Sequence, residues 1–179
     1  MQKITVWVYI VLSYNVLCMG LLYAIPSVRW NESEKHIRSI SGILSIFHTA
    51  GIIGFGGLYA TLFLVFTIAS MKESRLFALS VLMMVLSMGV LGFDITEHHT
   101  MHVICFVALQ LSLVAFANQL QLETVCVKVL NACTAVFILI MVCNASGLMM
   151  RSTQSVVELV WAGVCVWYVV LVTRHIETI

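Results

Sequence analysis

Two carboxylates and three imidazoles crowd into nine consecutive positions between Asp94 and His102, in the segment Phe93-Asp94-Ile95-Thr96-Glu97-His98-His99-Thr100-Met101-His102. Imidazole titrates near pH ~6.5 and is also a nitrogen ligand for zinc, so such a group admits more than one chemistry. His98 and His102 are four apart and share one helical face, and His48 can approach them from a neighbouring apolar run. Together with Asp94 they make a nitrogen and oxygen donor set that suits zinc, which turns a bound water into a nucleophile near neutral pH. Without a metal, Asp94, Glu97, His98, His99 and His102, joined by Glu158, form a polar cluster that an acidic compartment would charge. Most simply, the segment is a wet, hydrogen-bonded loop between two helices, with Asp94 or Thr96 as N-cap of the second. The leading expectation is non-enzymatic, with no catalytic residue and no cofactor; the alternative is a zinc-dependent intramembrane lipid hydrolase.

The elements that hold this cluster are set by composition. The 179 residues are 61% hydrophobic and 9% charged, against about 25% charged in an ordinary soluble domain. A water-facing surface cannot be assembled from such a chain, so its solvent is lipid. Apolar runs fall at about 4 to 25, 40 to 70, 76 to 93, 100 to 120, 125 to 149 and 154 to 173. A spanning helix needs ~20 apolar residues, and backbone groups in lipid must be satisfied within the segment. The expected fold is therefore all-α, a single six-helix bundle of a multi-pass integral membrane protein. Pro26 closes the first run, and the polar stretch SVRWNESEKHIR forms the first loop. The second run is longer than a bilayer is thick, and must tilt, kink near its glycines or extend into the headgroups. Its pairs Ala50/Gly54 and Gly56/Ala60 are spaced for close helix packing.

Orientation rests on two signals. With the amino terminus in the cytoplasm, Lys3, Lys72, Arg75, Lys128 and Arg174 lie inside and Arg29, Lys35, Arg38 and Arg151 outside. The same orientation exposes Asn31-Glu32-Ser33 to the lumenal or extracellular side, where Asn31 is an N-glycosylation acceptor. Basic residues are scattered, which excludes a nucleic-acid partner; the expected partners are membrane lipid and a membrane protein or a second copy of the chain. An accessory subunit of a larger membrane complex is a further reading. All six cysteines lie in or at the edge of apolar runs and have no CxxC spacing, so they read as small packing residues.

Two resemblances sharpen these expectations. The Asp94 and His98/His102 set resembles the metal site of the seven-pass CREST group, which includes alkaline ceramidases, although here the HxxxH pair opens the fourth of six runs. The layout as a whole is similar to the DRAM/Frag/Sfk family of six-pass proteins. The residues that carry this are SVLMMVLSMGVLGFDITEHHTMHVICFVALQLSLVAFA and STQSVVELVWAGVCVWYVVLVTRHI. His102 would match the family's histidine and Glu158 its acidic residue, although Leu159 stands where tryptophan is common. The resemblance implies a protein of lysosomal, Golgi or plasma membranes that modulates autophagy, lipid distribution or lipid-anchor processing, without an established catalytic centre.

Overall fold

The structure, a computed structural model, describes residues 2–33, 35–46, 63, 67, 71, 73–93, 97–120, 124–146 and 151–178. These residues form helices α1 (Gln2–Ala24), α2 (Pro26–Arg29), α3 (Ile40–Ile46), α4 (Ser74–Gly92), α5 (His99–Gln119), α6 (Thr124–Ala145) and α7 (Arg151–Thr178), with one two-stranded hairpin. Among the described residues, five helices are long and apolar enough to cross a membrane: Val6–Ala24, Ser74–Gly92, His99–Gln119, Val125–Cys143 and Val156–His175. The class is all-α and the composition that of a multi-pass membrane protein. Of the long second run, α3 and the helical residues Phe63 and Thr67 are described; His48, Ala50, Gly54, Gly56 and Ala60 lie outside the described residues.

Large apolar side chains cover the outside of the bundle, and small polar side chains are buried inside it beside the apolar core. Leu17, Leu139 and Val160 are each more than 60% exposed, while Ser80, Ser87, Thr134 and Thr173 are at most 2% exposed. Lipid is as apolar as leucine, so small polar side chains gain more by turning inward. Ser87 and Thr173 are satisfied there by donating to the carbonyls of Met83 and Val169 one turn back, each at 2.8 Å. The apolar interior runs from Phe116 and Leu130 through Phe137 and Trp161 to Tyr168 and Val172.

The first loop carries more structure than its polar sequence announces. Ile25 precedes proline and is extended, at φ −85° and ψ 111°, which ends α1. Pro26 then opens the single turn α2, whose Val28 is buried. Strands β1 (Trp30–Asn31) and β2 (His36–Ile37) pair antiparallel, with Trp30 opposite Ile37 and Asn31 opposite His36. Lys35 supplies a left-handed turn residue at φ 52°. The hairpin brings Arg38 back to α1, where the Tyr23 hydroxyl donates to the Arg38 carbonyl at 3.3 Å.

Helices α4 and α5 form the closest pair. A Cβ on Gly89 would stand 2.6 Å from Cys105 Sγ, so the glycine is what allows the two backbones to approach. The carboxyl end of α4 and the amino end of α5 thereby meet at the hairpin end of the bundle. The N-cap position of α5 is His98, with φ −125° and no side-chain cap bond. Asp94, Ile95 and Thr96 themselves lie outside the described residues.

Candidate functional site

Four helices converge on a small cavity at the hairpin end. Its lining combines Ser41 from α3, His99, His102, Val103 and Phe106 from α5, Met141 from α6 and Glu158 from α7. The volume is about 30 Å³, enough for one or two groups the size of a water molecule. Polar atoms come from the helix ends and the apolar walls from one turn further in.

His102 is held by the loop before it. Its Nδ1 lies 2.8 Å from the carbonyl oxygen of Phe93. A carbonyl only accepts, so Nδ1 carries the hydrogen, and the neutral ring keeps its lone pair on Nε2. The i to i+4 spacing continues this stripe from His102 to Phe106 and Gln110.

Glu158 joins the last helix to the second run. Its Oε2 accepts from the backbone N–H of Ile40 at 2.8 Å, across 118 residues of sequence. Ile40 is the first residue of α3, and its N–H is one of the four that a helix leaves without an internal acceptor. Ser39 caps the same end conventionally, its Oγ accepting from Gly42 N at 3.1 Å. Two acceptors, one local and one from α7, thus fix where the second run begins.

An aromatic layer floors the cavity. Phe106 meets Phe137 of α6 with ring centroids 5.5 Å apart, and Phe137 stacks on Trp161 of α7 at 5.2 Å and 18°. One turn beyond, on the same faces, Gln110 Oε1 and Thr134 Oγ1 are buried without a hydrogen-bond partner among the described residues, as is Trp161 Nε1 in the layer itself. Buried polar atoms of this kind are positions for internal water.

The sequence-predicted residues divide accordingly. His99, His102 and Glu158 are brought together. His98 is exposed and turns its ring edge-on to Phe93, with centroids 6.0 Å apart, and Glu97 is exposed in the turn before it. Neither lines the cavity. Asn31 sits on β1, where its Oδ1 accepts from the Ser33 hydroxyl at 2.8 Å. Among the described residues, no three His, Cys, Asp or Glu side chains are grouped so as to hold a metal ion; Asp94 and His48, half of the expected zinc set, lie outside them. Ser41, Phe106 and Met141 escaped the sequence reading, as did the bond from Ile40 to Glu158. The only signal for Phe106 and Met141 was their register, one turn from His102 and from Phe137. Comparison with family models, with curated proteins and with solved structures gave no match to this chain.

Proposed function

We propose that this chain is a six-span, non-enzymatic membrane protein that binds or organises lipid or a membrane partner at the cavity of its hairpin end. The observation that carries the reading is the lining itself: two imidazoles, a hydroxyl and a carboxylate meet three apolar side chains in one small, partly open space. Pockets that fix an amphipathic guest have this form, mostly apolar walls with a few convergent polar groups.

The count of six is supported by connectivity. The start of α3 and the end of α4 both lie at the cavity, one through Glu158 and the other through His102. The start of α4 is 19 residues from its end, or ~28 Å at ~1.5 Å per residue. A six-span reading has the chain between Ile46 and Ser74 make one further crossing, which would carry it to the end of the bundle where α4 starts. An even number of spans places both termini on one side, the cytoplasm in the orientation expected from Asn31 and the basic residues.

In the same reading, the two imidazoles beside a carboxylate make the site pH-sensitive. Glu158 shares the cavity with His99 and His102 from α5, and β2 packs on α7 with Arg38 following it. Protonating an imidazole puts positive charge beside the carboxylate that anchors α3. A lumenal cavity of this kind fits the plasma membrane or the endomembranes, and the DRAM/Frag/Sfk resemblance through His102 and Glu158 points the same way.

Lipid retained after mild detergent extraction tests the proposal. Bound lipid is expected on the wild-type protein by native mass spectrometry, and much less on a Phe106→Ala/Met141→Ala variant that keeps its helix content. Equal lipid on both, or none on either, sinks it.

A further inference from the structure

We propose that two copies of this chain associate side by side along the outer face of α5, with the Asn118 and Asn131 amides at the contact. This interface lies apart from the cavity and supplies a partner that the cavity reading does not name.

The outer face of α5 ends on a polar group that the rest of the bundle surface avoids. Buried Ser80, Ser87, Ser112 and Thr173 each donate to a carbonyl of their own helix. Asn118 is exposed instead, and pairs with half-buried Asn131 of α6. Asn118 Nδ2 donates to the Val114 carbonyl at 2.7 Å and to Asn131 Oδ1 at 3.3 Å, and Asn131 Nδ2 donates back to Asn118 Oδ1 at 3.3 Å. An amide carries two N–H donors and two oxygen lone pairs. Both donors of Asn118 are therefore engaged, while Asn131 keeps one N–H and each Oδ1 keeps one lone pair among the described residues.

Depth makes this remainder costly. Asn131 lies six residues inside the apolar span Val125–Cys143, ~9 Å from its start at ~1.5 Å per residue, and hydrocarbon offers no hydrogen-bond partner there. Lys128, one turn nearer the start and exposed, is long enough to reach the headgroups. An asparagine is not.

A second copy meets the demand without remainder. Two chains in one membrane, related by a two-fold axis along its normal, bring the same residues to the same depth. The spare N–H of each Asn131 then meets a spare Oδ1 lone pair of the other copy, in two reciprocal bonds. The rest of the face fits the same partner. Ile104 and Leu111 are 54% and 55% exposed, with half-buried Ala108 and Ala115 between them and Asn118. The spacings of four and three are those of a coiled-coil seam, in which large side chains of one helix enter hollows over small ones of the other, and a single asparagine sets register and copy number.

Energy transfer between dye-labelled copies of the full-length protein, in phosphatidylcholine vesicles of rising lipid-to-protein ratio, tests the proposal. Wild type should form a dimer that separates on dilution. Asn118→Leu and Asn131→Leu should each separate at about tenfold less dilution, the scale of one hydrogen bond between helices in lipid. Both should keep the wild-type helix content and melting temperature, since leucine suits a lipid-facing position. Disulfide trapping locates the contact: Leu111→Cys should yield linked dimer well above the background of the six native cysteines, and Leu17→Cys, 62% exposed on α1, should not. A protein monomeric at every dilution overturns the proposal, as does a dimer that neither leucine variant weakens. Trapping at position 17 and not at 111 moves the interface to α1 and overturns it too. Stoichiometric copurification of a different protein, lost in Asn118→Leu, replaces the second copy by a heterologous partner.

Discussion

Replacing Glu158 by leucine should loosen the start of the second run. The wild-type carboxylate accepts from Ile40 N–H at 2.8 Å, and both residues are half-buried. Hydrogen bonds to charged groups contribute ~1.5–3 kcal/mol, and an amide left without an acceptor adds its own desolvation cost. Partial exposure lets water replace some of that, so the lower part of the range applies and the expected loss is about 2 kcal/mol. Glutamine at the same position retains an acceptor oxygen but no charge, and should lose about half as much. Two assays read the effect. Reversible unfolding in mixed micelles gives the global stability of wild type, Glu158→Gln and Glu158→Leu. Hydrogen exchange at the Ile40 amide reports the local bond, and should quicken by about 30-fold in the leucine variant if opening there costs about 2 kcal/mol less. The order wild type, glutamine, leucine is the essential outcome. Equal stability of all three, with unchanged exchange at Ile40, would refute the carboxylate as anchor of α3 and leave Ser39 as the sole cap.

Further expectations follow from other contacts. Gly89→Ala places a methyl 2.6 Å from Cys105 Sγ and should destabilise the α4 and α5 pair by about 1–3 kcal/mol; adding Cys105→Ala should recover most of the loss, and a double variant as unstable as the single one would contradict the close approach. Phe137→Ala removes the ring that touches both Phe106 and Trp161 and should cost about 3 kcal/mol, seen also as a change in tryptophan fluorescence, whereas an unchanged spectrum would mean that Trp161 does not lie on Phe137. Tags at the two termini should be protected from protease on the same side of sealed vesicles, and opposite protection would rule out six spans. Elemental analysis should find zinc far below one per chain in wild type and in His98→Ala/His102→Ala alike, because His98 turns to Phe93 and not to the cavity; stoichiometric zinc lost in the variant would restore the hydrolase reading.

The fold was legible wherever the signal was carried by bulk hydrophobicity. Five apolar runs coincide with long helices because lipid leaves the backbone no other way to satisfy its N–H and C=O groups. The first loop was not legible beyond its polarity, since a hairpin of two residues per strand depends on the Trp30 and Ile37 pairing and on one left-handed residue, Lys35. At the site, His99, His102 and Glu158, singled out by residue type, line the cavity, while His98 stands outside it. The HxxxH pattern puts two imidazoles on one face only if both are helical, and His98 stands just outside the helix with φ −125°. The partners that position the site were hidden for a different reason. Both the Phe93 carbonyl and the Ile40 amide are backbone groups, which every residue has and no sequence pattern distinguishes.

The aromatic floor decides what kind of site this can be. The polar group nearest below the cavity on α5 is Gln110, two turns from His102, and between them Phe106 meets Phe137, which in turn stacks on Trp161. An ion or proton moving from the cavity into the bundle would have to shed its partners against that layer, where the described neighbours offer it rings. A pathway through a membrane protein is instead lined by polar or charged groups at successive depths. The layer therefore favours a socket, in which a guest enters from the hairpin end and is held there, over a conduit. The same layer links occupancy to packing, because Phe106 is at once a wall of the cavity and a member of the α5–α6–α7 core. A guest in the cavity would press on Phe106 and so on three helices together.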